Sequence, residues 1–203
     1  MRLSELDNHA RLFNRIAPIY NWFFQYQVKN YRATLNKFLP HLNIPRGGRV
    51  LDLGCGTGAF LYCFAELGFD TTGVDIAPSM IRQAQKSTSH FEIEFALGDA
   101  TQGLPFTDKS FDLVYSSYVA HGVKQDLRRR IYAEASRLSH GLVLFHDYYP
   151  QRELLTDIVE WAEGGDYFNF IRHGEQEMRE EFAQVETIRV GPHSAWYVCT
   201  PSN

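Results

Sequence analysis

Apolar residues recur at positions 12, 13, 16, 19, 20, 23 and 24, the spacing of one helical face, so residues 4–39 are predicted helical. Pro18 should break or kink that helix into two pieces. After the connector NIPRGG (43–48) the pattern changes to short apolar runs alternating with amphipathic ones. RVLDLG predicts a buried strand, and TGAFLYCFAELG a helix with Gly68 placed for its C-terminal cap. DTTGVD predicts a second strand, and PSMIRQAQKS a helix with Pro78 in its first turn. FEIEFALGD alternates strictly, which puts Phe91, Ile93, Phe95 and Leu97 on one face of a third strand. FDLVYSS, KQDLRRRIYAEASRLS and GLVLFHD predict strand, helix and strand, and residues 151–163 a further helix. VETIRV and AWYVCT, separated by a four-residue turn, predict a closing antiparallel pair.

Strands alternating with helices predict a doubly wound α/β sheet, mostly parallel and covered on both faces. Ligands on such sheets bind at the carboxyl ends of the strands. The loops to inspect therefore follow positions 53, 75, 98, 117 and 147. The length of 203 residues suits one domain. We expect a helical cap over 1–44, a core over 45–150, and a substrate-wall insertion with the final strand pair over 151–203.

Composition narrows the function. A net charge of −4 with no long basic run argues against binding to nucleic acid, which needs clustered Lys and Arg. LRRR at 127–130 is the densest basic spot and reads as the solvated face of a helix. Three cysteines without a CxxC pair argue against a disulfide framework and fit a reducing cytoplasm. No run approaches the ~20 apolar residues of a membrane span, and the first residues lack the apolar core of a signal peptide. No metal-ligand spacing is evident.

VLDLGCGTGAF places Gly54, Gly56 and Gly58 between a strand and a helix, where a backbone free of Cβ atoms can turn tightly and approach a ligand. Asp75, at the end of the second strand, is placed to accept both hydroxyls of a ribose. GCGTGA also satisfies the dinucleotide pattern G-x-G-x-x-G/A, so a nicotinamide-binding protein is one alternative. Asp52 speaks against it, because a carboxylate there would repel a pyrophosphate and suits a ligand bearing an ammonium group. Asp99, in the GDA turn, lies within reach of an adenine amino group.

Taken in order, DLGCGTG, GVDIAPSM, GDA and FDLVYSSYVAHGV resemble a class I S-adenosylmethionine-dependent methyltransferase. The resemblance implies a Rossmann-like seven-stranded sheet of order 3-2-1-4-5-7-6, its last strand antiparallel. By position it implies that Asp52, Gly54, Cys55 and Gly56, with Gly58 in the same turn, line the amino-acid part of S-adenosylmethionine. Asp75 would hold the ribose, Ile76 and Met80 would pack near the adenine, and Asp99 and Ala100 would meet its edge. Ser117 and His121 would face the sulfonium region. Cys55 reads as a small turn residue rather than a nucleophile, since no base is placed beside it.

The stretch IAPIYNWFFQYQ (16–27) is rich in rings: Tyr20, Trp22, Phe23, Phe24 and Tyr26, with Tyr31 just beyond. LFNRIAPIYNWFF is similar to the N-terminal segment of ubiquinone/menaquinone-type C-methyltransferases, with Asn21 where that family carries Asp. That similarity implies a lid. We expect Phe13, Ile16 and Phe23 in the core, Tyr20 against the cofactor, and Trp22 and Tyr26 against a small-molecule acceptor. Candidate bases are His121, His146 and Asp147, and candidate acceptor contacts include Tyr148, Tyr167 and His173. Arg172 is a candidate partner for an acidic acceptor, and His193 and Trp196 flank the final turn. A non-catalytic module that keeps this fold for partner binding is the other alternative.

Overall fold

The computed structural model describes residues 24–150 and 165–202. The expectations for Pro18, Phe13, Ile16, Tyr20, Trp22, Phe23 and the helix at 151–163 lie outside these residues. Seven strands hydrogen-bond in the order β3-β2-β1-β4-β5-β7-β6, as the sequence resemblance implied. The chain forms two compact units, Met1–Asp99 and Ala100–Asn203.

In the first unit, helix α1 runs over 24–38 and a 3-10 turn follows at Leu39–His41. Phe24, Val28 and Leu35 are buried and Tyr31 half-buried, a single helical stripe. That stripe lies on α2 (Ala59–Glu66). Phe24 meets the Tyr62 ring edge-on at 5.8 Å, and Tyr31 lies 4.5 Å from Phe60. Arg32 forks onto the Glu66 carboxylate at 2.9 and 2.8 Å.

Strand β1 (Arg49–Leu53) pairs parallel with β2 (Asp70–Asp75), and β2 with β3 (Glu94–Leu97). Helix α3 (Pro78–Ser87) opens on its proline. Helix α2 ends as its sequence predicts. Gly68, at φ +81°, bonds back to Ala65, Phe69 bonds to Phe64, and the two phenyl rings touch at 5.4 Å. Strand β3 departs from expectation. Only four residues pair, and Leu97 is 61 % exposed rather than facing the core with Ile93 and Phe95. As the edge of the sheet it has a neighbour on one side only.

In the second unit, β4 (Phe111–Ser117) runs parallel to β5 (Ser139–Tyr148). A bulge lies between Phe111 and Leu113, where the backbone of Gly141 lies against the Asp112 carbonyl. A 3-10 turn (Ala120–Gly122) and α4 (Gln125–Leu138) connect the two strands. Helix α5 (Tyr167–Glu181) precedes β6 (Gln184–Arg189) and β7 (Ser194–Thr200). Strand β7 pairs antiparallel with both β5 and β6.

One expectation here is overturned. Arg128 is not on a solvated face: it is fully buried and bound to Glu177 and Asp166, while Arg129 and Arg130 are exposed. On α4 it sits in register with the buried Ile131, Tyr132 and Ala135, so the run of arginines straddles the edge of the apolar face. The three cysteines are free and buried, and no described helix is long and apolar enough to cross a membrane.

Candidate functional site

The first unit presents the glycine turn at the carboxyl end of β1. Gly54, Gly56 and Gly58 all have positive φ, at +80°, +53° and +76°, a conformation that side chains with a Cβ resist. The turn is tied to β2 through Gly54 and Cys55, whose N–H groups donate to the Val74 carbonyl at 2.8 and 3.0 Å. The Asp75 carboxylate accepts from Gly56 N and Ala77 N, each at 2.8 Å. The Thr57 hydroxyl donates to Gln27 on α1 at 3.2 Å, so the turn is tied to α1 as well. Neither Thr57 nor Gln27 stood out in the sequence, and nothing in a Gly-Thr-Gly spacing signals a helix thirty positions upstream.

The three glycines differ in what surrounds them. A Cβ at Gly56 would meet nothing within 4 Å, so that face of the turn is open. A Cβ at Gly58 would sit 3.1 Å from Thr88 Cγ2 and 3.2 Å from Ala84 Cβ, so Gly58 lets α2 pack closely against α3. Cys55 packs with Leu61 and Ile81, its thiol pushed well up by burial and by the charges of Asp75 and Asp52. It behaves as a small apolar residue, not a nucleophile.

Asp52 is the electrostatic anomaly of this unit. It is 1 % exposed, and its Oδ1 has no hydrogen-bond partner among the described residues. Burial, with the nearby Asp75, drives its pKa well up. Burial raises Asp75 as well, but the N–H groups of Ala77 and Gly56 oppose that rise. A ligand bringing an ammonium or other donor to Asp52 would relieve the strain, so the residues present fit an amino-acid-bearing cofactor. Asp75 retains lone-pair capacity beyond the backbone donors of Gly56, Ile76 and Ala77. Met80 is buried, and Ile76 and Asp99 are half-buried.

The second unit gathers a different set at the carboxyl ends of β4 and β5. Asp147 Oδ1 lies 2.8 Å from His121 Nδ1 and accepts from Tyr148 N at 2.8 Å, and Oδ2 accepts from His121 N at 3.3 Å. A carboxylate on Nδ1 fixes the proton there and makes Nε2 the basic nitrogen of the ring. The His121 ring meets Tyr148 at 4.8 Å and Tyr118 at 6.2 Å, and Tyr148 meets Tyr167 at 5.0 Å. No local sequence signal marks Tyr118. It holds φ +52°, unusual for a bulky residue, donates its N–H to the His146 carbonyl at 2.8 Å, and leaves its side chain partly exposed.

His146 plays a different part from His121. It is 4 % exposed, with Nδ1 3.4 Å from the Tyr115 hydroxyl, and burial pushes its pKa down to about 4. It is therefore neutral near pH 7 and a weak proton acceptor. Ser117 ends β4 opposite His146 and is half-buried, as is Ala100, the first residue of this unit. Among the described candidates, His173 and Arg172 are exposed on α5, His193 is exposed in the final turn, Trp196 is buried, and Tyr26 stands 66 % exposed on α1. The structure does not bring His173 to the His121 cluster.

The sequence matches the family described as a methyltransferase domain over residues 50–140. It is 34 % identical over 118 residues to the demethylmenaquinone methyltransferase of Tropheryma whipplei (strain Twist), a match covering 56 % of this chain and 47 % of that protein. The chain thus spans about half the length of the curated relatives it matches. Its fold is similar to that of the PH0226 protein from Pyrococcus horikoshii OT3, with a TM-score of 0.67 and 26 % identity over 85 % of this chain and 91 % of that one. It is also similar to the DhpI–SAH complex, with a TM-score of 0.71 and 19 % identity over 97 % of each chain. By its glycine turn, its strand order and these likenesses together, the chain is similar to the class I S-adenosylmethionine-dependent methyltransferases, with the family match lying over residues 50–140.

Proposed function

We propose that this chain transfers a methyl group from S-adenosylmethionine to a small-molecule acceptor that carries a removable proton. The observation that carries the reading is the glycine turn with its buried, unsatisfied Asp52 beside Asp75. When bound, the cofactor supplies an electrophilic methyl carbon on a sulfonium. Asp52 would take the ammonium group of the cofactor, directly or through water, and Asp75 the ribose hydroxyls. Gly54 and Gly56 would let the ligand approach the backbone, Ile76 and Met80 would flank the adenine, and Asp99 and Ala100 would meet its edge. Ser117 would face the sulfonium.

Methyl transfer of this kind is a direct displacement, so the protein aligns the groups and excludes water. A base is needed only where the acceptor must lose a proton. His121 has the geometry for that, with Asp147 holding its Nδ1 proton so that Nε2 receives the acceptor's. The rings of Tyr118 and Tyr148 beside it favour a flat, hydroxylated acceptor. The demethylmenaquinone methyltransferase relatives support a quinol-like one. The buried free cysteines fit a reducing compartment.

The test is thermal unfolding with S-adenosylmethionine, S-adenosylhomocysteine and NAD in parallel, followed by a panel of hydroquinones and phenols. A ligand at ~100 times its Kd adds about 2.7 kcal/mol. At this chain length that is a rise of roughly 5–10 °C. A rise with the first two ligands and not with NAD is expected. A rise with NAD alone would overturn the cofactor assignment, and binding without turnover across the panel would favour the partner-binding module.

A further inference from the structure

We propose that Arg128 is a positioning residue for His121. It holds the backbone of the turn on which that histidine stands, and does not merely brace two helices.

Arg128 is fully buried on α4, and each of its three nitrogens donates. Nε and Nη2 fork onto Glu177 of α5 at 2.6 and 2.9 Å. Nη1 donates to the carbonyls of Val123 at 2.6 Å and Ala120 at 3.2 Å, and to Asp166 Oδ2 at 3.3 Å. Ala120 and Val123 bracket the 3-10 turn whose middle residue is His121. The His121 carbonyl in turn accepts from Asp166 N at 3.1 Å. The backbone on both sides of the histidine, and its own carbonyl, are thus fixed by one arginine and the carboxylate residue that arginine holds.

Stability alone does not explain an arginine here. A buried ion pair is weak support for a fold, because desolvation offsets the attraction, and apolar side chains of similar volume fill such a site as well or better. What apolar groups cannot supply is donors. The turn's own bonds reach only the Val119 and Ala120 carbonyls, the latter by a long bond of 3.4 Å from Val123 N, and the Val123 carbonyl beyond them needs a donor from elsewhere. A planar guanidinium serves a carboxylate and two carbonyls at once, which an ammonium on a flexible stem cannot do in one geometry. Glu177 is what sets the plane of the fork. The result is a turn held still enough to keep His121 Nδ1 at 2.8 Å from Asp147.

The proposal rests on His121 being the acceptor-side base, yet its test does not. In the full chain with uniform nitrogen-15 label, NMR would follow hydrogen exchange of the His121 ring Nδ1–H and backbone N–H, with the β5–β7 ladder amides as internal reference. Arg128→Lys is expected to speed exchange at both His121 sites at least tenfold while the ladder amides keep their rates. The double variant Arg128→Met/Glu177→Leu is expected to recover the melting temperature that Arg128→Met loses, without recovering His121 protection. Wild-type protection at His121 in folded Arg128→Lys, or its return in the apolar pair, would make Arg128 a structural brace and overturn the proposal. Should Arg128→Lys fail to fold, Glu177→Gln decides: faster exchange at His121 supports the clamp, unchanged exchange refutes it. If His121→Asn retains full turnover, the base assignment fails while the exchange result for Arg128 stands on its own.

Discussion

At the scale of single residues, the two aspartates of the glycine turn carry opposite burdens. Asp75 has backbone donors on both oxygens, whereas Asp52 Oδ1 has none among the described residues. Asp52→Asn removes a buried charge and its repulsion of Asp75. We expect the ligand-free protein to gain stability on the order of 1 kcal/mol, while affinity for S-adenosylmethionine falls at least tenfold. Urea unfolding and calorimetric titration on one preparation measure both; tighter binding would remove Asp52 from the cofactor site. Both aspartates were legible from their places at strand ends. So were His121 and Asp147 as candidates, though not their pairing, because 26 positions separate them and only the parallel register of β4 and β5 brings the turn after β4 beside the end of β5. Tyr118 was not legible: its strained backbone depends on a bond to His146 that no local pattern encodes.

At the scale of elements, punctuation decided what could be read. Helix α3 starts on Pro78, and the span predicted for it is the span observed. Strands β2 and β4 likewise match their apolar runs. Strand β3 did not, since alternation describes which faces residues take but not how far pairing extends at an edge. Arg128 departs from the solvated face that its run of like charges suggests, because helical spacing and not adjacency decides which residues are buried. The signal was present in its three- and four-residue spacing to Ile131 and Tyr132. Two glycines test the elements directly. Gly68 has open space around its Cβ direction, so Gly68→Ala costs only backbone strain, about 1 kcal/mol. Gly73 on β2 has none: a Cβ would come within 2.6 Å of Leu61 Cδ1, 2.9 Å of Phe95 and 3.0 Å of Cys55 Sγ. Gly73→Ala should therefore cost roughly 1–3 kcal/mol from overpacking. It should also weaken cofactor binding, since Cys55 belongs to the turn; equal costs for the two variants in chemical denaturation would refute the packing argument.

At the scale of the whole molecule, buried titratable groups set how stability follows pH. His146 is lowered to about 4 by burial, against an ordinary value near 6.5. Above the ordinary value both folded and unfolded forms are neutral and nothing is lost. As pH falls from about 6.5 to about 4, the unfolded chain takes up a proton that the fold refuses, and stability drops by about 3 kcal/mol in all. Asp52 and Asp75 act in the opposite sense, because their raised pKa values make the fold bind protons more readily as pH falls. His146→Phe keeps a ring among Tyr115, Tyr118 and Trp196 but cannot charge. Its unfolding free energy should fall less between about pH 7 and about pH 4.5 than that of the parent. Parallel curves would place the acid sensitivity elsewhere.

The position of β7 has a consequence for the order in which the protein is made. It follows both β5 and β6 in sequence, yet it lies between them and supplies hydrogen bonds to both. Translation releases chains amino end first, at about 5–20 residues per second. While β7 is still unmade, β5 shows an open margin and β6 has nothing to join. The nascent second unit must wait, its sheet unfinished, for Ser194–Thr200 to thread into the gap. Trp196, buried to 0 % exposure in that strand, makes the insertion visible as a late change in fluorescence.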